Sequence, residues 1–291
     1  MSRIAEHHVA GGGNGPRTSR LSALLWHVSM LVLAIAMIYP LVWMLVSSLR
    51  ENSEIFTSGP FDVSGLTLDN YVRGWNAQQN TFATYFRNSL VITTAVIVGN
   101  VLACSFTAFA FARMSFRLKP VLMAVMLMTI MLPEHVTIVP QYILFSELGW
   151  LNTMLPLTVP KFFATEAFFI FLIVQFMRGI PADIDEAAAL DGCGPFRTYT
   201  RIMLPLITPA LATTAIFSFI WTWNDFFRPL VFLTDNKLFT VPLAVRLFAD
   251  LGGTDWGALF AMSVLSLVPI FLFFLFGQRY LIRGIATTGL K

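Results

Sequence analysis

Long apolar runs separated by polar segments organise almost the whole chain. The runs fall at about 24–46, 89–112, 120–144, 155–176, 206–227 and 257–276. Each is near 20 residues, which at 1.5 Å per residue matches a hydrocarbon core roughly 30 Å thick. The pattern predicts an all-α polytopic membrane protein with six transmembrane helices in a single domain over 24–280. Basic residues precede the first run, so a signal peptide competes with an anchor there. At 23 residues the run exceeds an h-region of about 7–15, and no clear cleavage site follows, which favours an uncleaved anchor.

The polar segments differ in kind. Residues 1–23 are Gly-rich and read as a disordered tail, and 281–291 as a C-terminal tail. Within the 47–87 loop, Thr67 to Trp75 predicts a short helix suited to the membrane surface, with Thr67 as N-cap and Asp69 at the positive end of the dipole. A second long loop, 228–256, contains an amphipathic stretch from Val241 to Leu251.

Composition sharpens the class. Of 291 residues, 56% are hydrophobic and 12% charged, against about 25% charged in soluble domains. Such a chain has too little polar surface to cover a soluble globule. Its net charge of +3 comes without a Lys/Arg cluster, so nothing points to nucleic acid. The positions of the basic residues carry more information. With six spans, 12 Lys and Arg fall on the side holding both termini and six on the other, with Lys161 inside a span. The richer side is expected to be cytoplasmic, and with it both termini. Cys104 and Cys193 give neither a disulfide framework nor metal-ligand spacing. No G-x-x-x-x-G-K-[ST] loop is present for ATP phosphates.

One cytoplasmic segment, 177–205, is more polar than its neighbours. Gly179 ends a span and Pro181 suits the first turn of a new helix. Asp183, Asp185 and Glu186 crowd that turn, followed by Ala187-Ala188-Ala189-Leu190. Asp191-Gly192 stops the helix, and Gly194-Pro195 opens a second one, Phe196 to Met203, before Leu204-Pro205 redirects the chain into the membrane. No His lies nearby and no nucleophile sits beside a base, so docking rather than catalysis is indicated.

The pattern Glu186-Ala187-Ala188, Asp191-Gly192 and Ile202-x-Leu204-Pro205 resembles the EAA motif of binding-protein-dependent ABC importer permeases. Further stretches resemble the carbohydrate, maltose-permease-type branch. These are Arg87-Asn88-Ser89-Leu90, Met131-Leu132-Pro133, Leu148 to Thr153, Trp223-Asn224-Asp225-Phe226 and Gln278 to Gly284. The resemblance implies a bacterial inner-membrane permease in which 177–205 carries the coupling helix, between spans 4 and 5. It implies four kinds of partner: a homologous second permease, two nucleotide-binding ATPase subunits, an extracytoplasmic solute-binding protein and membrane lipid. ATP and Mg would be used by the ATPases and no cofactor held by this chain. The implied function is inward movement of a sugar or similar polar solute by alternating access, with the 228–256 loop expected to touch the binding protein.

Polar residues inside apolar runs are the candidate translocation path: Glu134, Lys161, Asn224 and Asp225, with His135 and Glu166 beside them. Charges at membrane depth are costly and usually face a cavity or a partner. Pro140 and Pro156 bracket an outward turn, so Glu134, His135 and Lys161 are equally suited to the outer interface. Asn100 and Gln175 are candidates for hydrogen bonds between helices. Phe168, Phe169, Phe171 and the Phe271–Phe276 stripe suit lipid contact or the bundle core better than a binding platform. Two other classes compete. An ATP-independent secondary transporter or channel would favour an internal repeat, and none is clear. An intramembrane enzyme would draw on Glu134 and His135, but adjacent residues point to different faces of a helix.

Overall fold

A computed structural model describes residues 20–286, apart from 58, 60, 61, 63, 251 and 252. Of the expected tails, 1–23 and 281–291, the parts at 1–19 and 287–291 lie outside the described residues, while 20–23 belong to the first helix instead of a disordered tail. In chain order the helices are α1 (Arg20–Ser47), α2 (Asp69–Asn76), α3 (Phe82–Arg113), α4 (Lys119–Ile130), α5 (Glu134–Glu147), α6 (Leu155–Thr158) and α7 (Ala167–Arg178). Then follow α8 (Asp183–Leu190), α9 (Pro195–Thr198), α10 (Leu204–Leu206), α11 (Thr208–Trp223), α12 (Phe227–Phe232), α13 (Val241–Arg246) and α14 (Trp256–Ala286). A two-residue hairpin, β1 (Ala249–Asp250) against β2 (Gly253–Thr254), lies between α13 and α14.

The organising element is α3. Its residues enter three packed clusters. At its C-terminal end, Phe109 and Phe111 pack with Ile173 and Met177 of α7 and with Tyr199 and Met203. At its start, Phe82 and Tyr85 pack with Phe219 and Trp223 of α11 and Met262 of α14. Midway, Ile92 and Val96 meet Ile138 and Phe145 of α5 and Phe232 of α12. Lipid is as apolar as these side chains, so close packing and interhelical hydrogen bonds, rather than exclusion from water, hold such a bundle. Two such bonds are Asn100 Nδ2 to Ser218 Oγ at 2.9 Å and a Ser105–Tyr199 hydroxyl pair at 2.8 Å. Of the two amides singled out for this role, Asn100 makes the bond, while Gln175 is exposed.

Four helical stretches are long and apolar enough to cross a membrane by themselves, and two bent pairs supply further crossings if each is one span. The bends correct three expected elements. The 120–144 run is not one helix: α4 and α5 meet at 104° across Met131–Pro133. Proline donates no N–H and disfavours a helical residue before it, so the helix stops ahead of Pro133, which is extended at ψ 131° and caps the new helix beginning at Glu134. In the 155–176 run, α6 passes into a tighter 3-10 turn, Val159–Phe163, and Ala164 adopts a left-handed conformation with φ 54° before α7 begins. The turn into α11 comes at Ile207 rather than at Pro205, because Pro195–Leu206 continues as one helical run that meets α11 at 76°. A single-turn π segment, Tyr199–Met203, lies inside that run.

Two further expectations are adjusted. The helix expected from Thr67 starts at Asp69, and Thr67 serves it from outside by accepting the Asp69 N–H at 3.1 Å. It packs on α14 instead of standing alone: Gly74 faces Met262, and the Arg73 guanidinium meets Asp255 at 2.9 Å. The final helix runs through the expected tail boundary to Ala286.

Three residues from the resembling stretches anchor the 228–256 loop. Asn88 donates to the carbonyl oxygens of Lys237 and Phe239 at 2.8 and 3.0 Å. Ser89 accepts the Val241 N–H at 2.9 Å. Asn152, at φ 57°, accepts the N–H groups of Thr234 and Asp235 at 3.0 and 2.8 Å. The amphipathic stretch condenses to the six residues of α13, with Val241, Leu243 and Ala244 buried.

Candidate functional site: a charged cavity and an exposed turn

Two of the helix interruptions, at 131–133 and 159–164, and the C-terminal end of α11 share a consequence. Each places a charged residue beside a helix end, and these residues line one cavity of about 420 Å³. Glu134 opens α5 directly after the Pro133 bend. Lys161 and Glu166 flank the left-handed Ala164 and pair with each other. Asn224 and Asp225 end α11, and Arg228 follows on α12. Arg228 lies 2.6 Å from Glu134 and 4.0 Å from Asp225. The four residues singled out for a polar path, Glu134, Lys161, Asn224 and Asp225, therefore stand on one wall system although up to 91 positions separate them.

Lys161 is brought there by a close approach. The Val159–Phe163 segment lies so near α3 that a Cβ at Gly99 would sit 3.1 Å from the Lys161 carbonyl carbon. Without a side chain at Gly99 the two backbones come this close; a Cβ there would force its neighbours to give by a few tenths of an ångström. The interruption also has a favourable electrostatic setting, because Glu166 sits at the N-terminus of α7, where negative charge suits the helix dipole.

Other lining residues are expected elsewhere or not singled out by the linear pattern, which marks Asn100 as a helix-to-helix hydrogen bonder and Phe169 as lipid-facing or core. Asn100 and Ser218 join at the cavity, and the Asn100 Oδ1 is buried with no protein hydrogen-bond partner among the described residues. An unpaired buried acceptor is costly, so it calls for water or a ligand donor. Phe169 and Trp221 stack at 5.1 Å with 25° between planes and also line the space. The wall thus offers an aromatic surface beside hydrogen-bonding groups, the combination that suits a solute with both C–H faces and hydroxyls. Of the Phe168–Phe171 stripe, Phe169 is a cavity residue; Phe271, Phe274 and Phe276 are exposed on α14. His135 packs edge-on against Phe227 at 5.0 Å.

The second feature is the turn after α8. The Cys193 N–H donates to the Ala188 carbonyl at 2.9 Å and the Gly192 N–H to Ala189 at 3.0 Å. This pair of bonds, with Gly192 at φ +73°, is a Schellman termination. It presents two apolar side chains outward, Leu190 at 90% and Phe196 at 70% exposure. Glu186, Ala187, Asp191 and Gly192 are exposed around them, while Ala188 faces inward. Ile202 and Leu204 are half-buried, and Leu204 packs on the inner core, so they belong to the joint with α11 more than to the exposed turn. Pro205 is exposed.

Arg113, which linear reading uses only as a basic residue in the charge count, ties the turn to the rest. It ends α3, donates to the carbonyl oxygens of Met177 and Ile180 at 2.9 and 2.8 Å, and lies 3.2 Å from Asp185 of α8. The cavity residue Asn100 lies on the same helix, about 20 Å away for 13 residues at the helical rise.

A bundle of broken apolar helices, with a charged cavity inside and a rigid polar turn at one end, defines a polytopic membrane transport component. The chain belongs to the family of inner membrane components of binding-protein-dependent transport systems, which residues 95–287 match. It is 35% identical over 257 residues to the probable ABC transporter permease YurM of Bacillus subtilis, covering 88% of this chain and 85% of that protein. It is 32% identical to the trehalose/maltose transport permease MalG of Thermococcus litoralis, covering 94% of this chain and 99% of that one. The crystal structure of a bacterial ABC transporter importing alginate superposes with a TM-score of 0.80, at 20% identity, over 91% of this chain and 99% of that one. That likeness establishes the fold.

Proposed function

We propose that this chain is the permease subunit of an ATP-driven importer for a neutral or weakly charged saccharide. In this reading the two bent pairs count as spans, giving six, and both termini are cytoplasmic. The excess of Lys and Arg on that side supports the orientation. The relatives named for trehalose and maltose and for arabinooligosaccharides support the solute class. The Phe169–Trp221 surface beside Asn100 supports it independently.

The observation that carries the reading is the α8 turn. Leu190 and Phe196 would fill a groove on a separate ATPase subunit, with Gly192 letting the surfaces approach. Glu186, Ala187, Ala188, Asp191, Ile202, Leu204 and Pro205 complete the coupling element. The chain would contribute no ATP or Mg site; closure of two ATPases would move α8, and Arg113 would pass that movement to α3. ATP and the loaded binding protein must then favour the outward-open state by their differential affinity for it. A homologous second permease would cover α1, whose most apolar window contains no buried residue. The solute-binding protein would dock on the 228–256 loop held by Asn88, Ser89 and Asn152.

Purification from the native membrane in mild detergent tests this. Capture of an ATPase and a second permease, with ATP hydrolysis stimulated by a saccharide and its binding protein, is the expected result. A chain that purifies alone and moves saccharide without ATP would favour the secondary transporter instead.

A further inference from the structure

The charged cavity has a neighbour. A second space, about 670 Å³, lies between α5 and the α6–α7 segment. Glu134, Lys161, Glu166 and Arg228 line both spaces. The two ion pairs therefore lie where the two spaces adjoin.

The pairs are unequal. Lys161 and Glu166 lie five residues apart on one segment, and their side chains are 10% and 23% exposed. Separating them would leave a buried charge without a partner, which is strongly unfavourable. Arg228 and Glu134 come from different elements, and their side chains are 29% and 53% exposed. An exposed pair of that kind contributes little, since water replaces the partner on either side. Arg228 also has a second carboxylate available. Asp225 lies 4.0 Å from its guanidinium and accepts its backbone N–H at 3.2 Å. Release of Glu134 therefore does not leave Arg228 alone.

The element that would move is also identifiable. The 104° bend at Met131–Pro133 sits immediately before Glu134, at the root of α5. Ile138 and Phe145 rest against α12 residues such as Phe232. A rotation of α5 at that bend carries its far end, near Phe145, furthest, and turns the Glu134 side chain at its root relative to Arg228.

We propose that Arg228 is a latch residue of the transport cycle: it holds Glu134 to keep a partition between the two cavities closed, and exchanges Glu134 for Asp225 when α5 moves. Lys161 and Glu166 form the fixed half of the same wall. The inference rests on the transporter reading for its purpose, but not for its test.

The test uses the full chain, in its complex, with Thr222→Cys as a reporter on the first cavity and Cys193→Ser to remove the half-buried native thiol. Labelling by a membrane-impermeant methanethiosulfonate is timed in right-side-out and in inside-out vesicles, without solute or ATP. Glu134→Gln is expected to raise the labelling rate at least fivefold from one side. Glu134→Asp, which retains the charge, and the exchange Glu134→Arg with Arg228→Glu are expected to return it to within twofold of the parent. Equal rates for Glu134→Gln and Glu134→Asp, or an exchange variant as open as Glu134→Gln, would overturn the latch. A loss of ATPase capture in the parent chain would instead count against the transporter reading and leave the labelling comparison intact.

Discussion

The Arg113 guanidinium lies 3.2 Å from the Asp185 carboxylate, joining the last residue of α3 to the first turn of α8. Arg113 also fills the carbonyl oxygens of Met177 and Ile180, so one side chain gathers three segments. Hydrogen bonds to a charged group contribute about 1.5–3 kcal/mol each. Arg113→Met should lower the apparent melting temperature of the purified complex. Asp185→Asn should leave the carbonyl contacts in place and cut solute-stimulated ATP hydrolysis several-fold with little change in melting temperature. Parental stimulation in Asp185→Asn would show that the link transmits nothing.

Gly192 offers a cleaner backbone test. A Cβ there meets no atom of this chain within 4 Å, so any effect on the turn itself comes from its φ of +73°. Strain for a non-glycine residue in that region is of order 1–3 kcal/mol, and is greatest for β-branched side chains. Gly192→Val should reduce ATPase capture strongly and Gly192→Asn only slightly. Equal capture for both would detach the turn from docking.

Leu190 and Phe196 are too exposed to support the fold. Leu190→Asp and Phe196→Ser should therefore leave membrane level and detergent stability unchanged while abolishing co-purification of the ATPase. A fall in membrane level parallel to the loss of capture would place these side chains in folding.

Within the cavity, Asn100 and Trp221 should separate two contributions. Trp221→Ala removes an aromatic face, worth roughly 1–3 kcal/mol if a sugar ring stacks on it as bases do on aromatic side chains. Uptake at subsaturating solute should fall about tenfold or more. Asn100→Ala removes the bond to Ser218 and the unpaired acceptor together, and should lower maximal transport while sparing ATPase capture. Uptake unchanged in both variants would move the path elsewhere.

The 183–198 segment was legible because its signals are local. Asp183 to Glu186, the Ala run, Gly192 and Pro195 each act within a turn or two of the residue they mark, and the helix ends fall where they point. The cavity was legible only as scattered polar residues in apolar runs. Hydropathy records that a stretch is apolar, not that α4 and α5 change direction by 104° between them. Ala164 gives no warning of its left-handed backbone, since glycine or asparagine is the usual marker of one. Arg228 sits where a loop was expected, and its partnership with Glu134 spans 94 positions. Arg113 was hidden differently: as one of several basic residues after a span, it reads as topology, whereas its contacts tie three segments together.

The most direct measurement is uptake of radiolabelled saccharide by proteoliposomes holding this chain with its co-purifying permease and ATPases, supplied with the binding protein. Uptake is expected only with ATP enclosed on the ATPase side, and is expected to be lost with Gly192→Val while all subunits remain assembled at reduced yield. Uptake that proceeds without ATP, driven by a proton or sodium gradient, would contradict the assignment of this chain as an ATP-coupled permease.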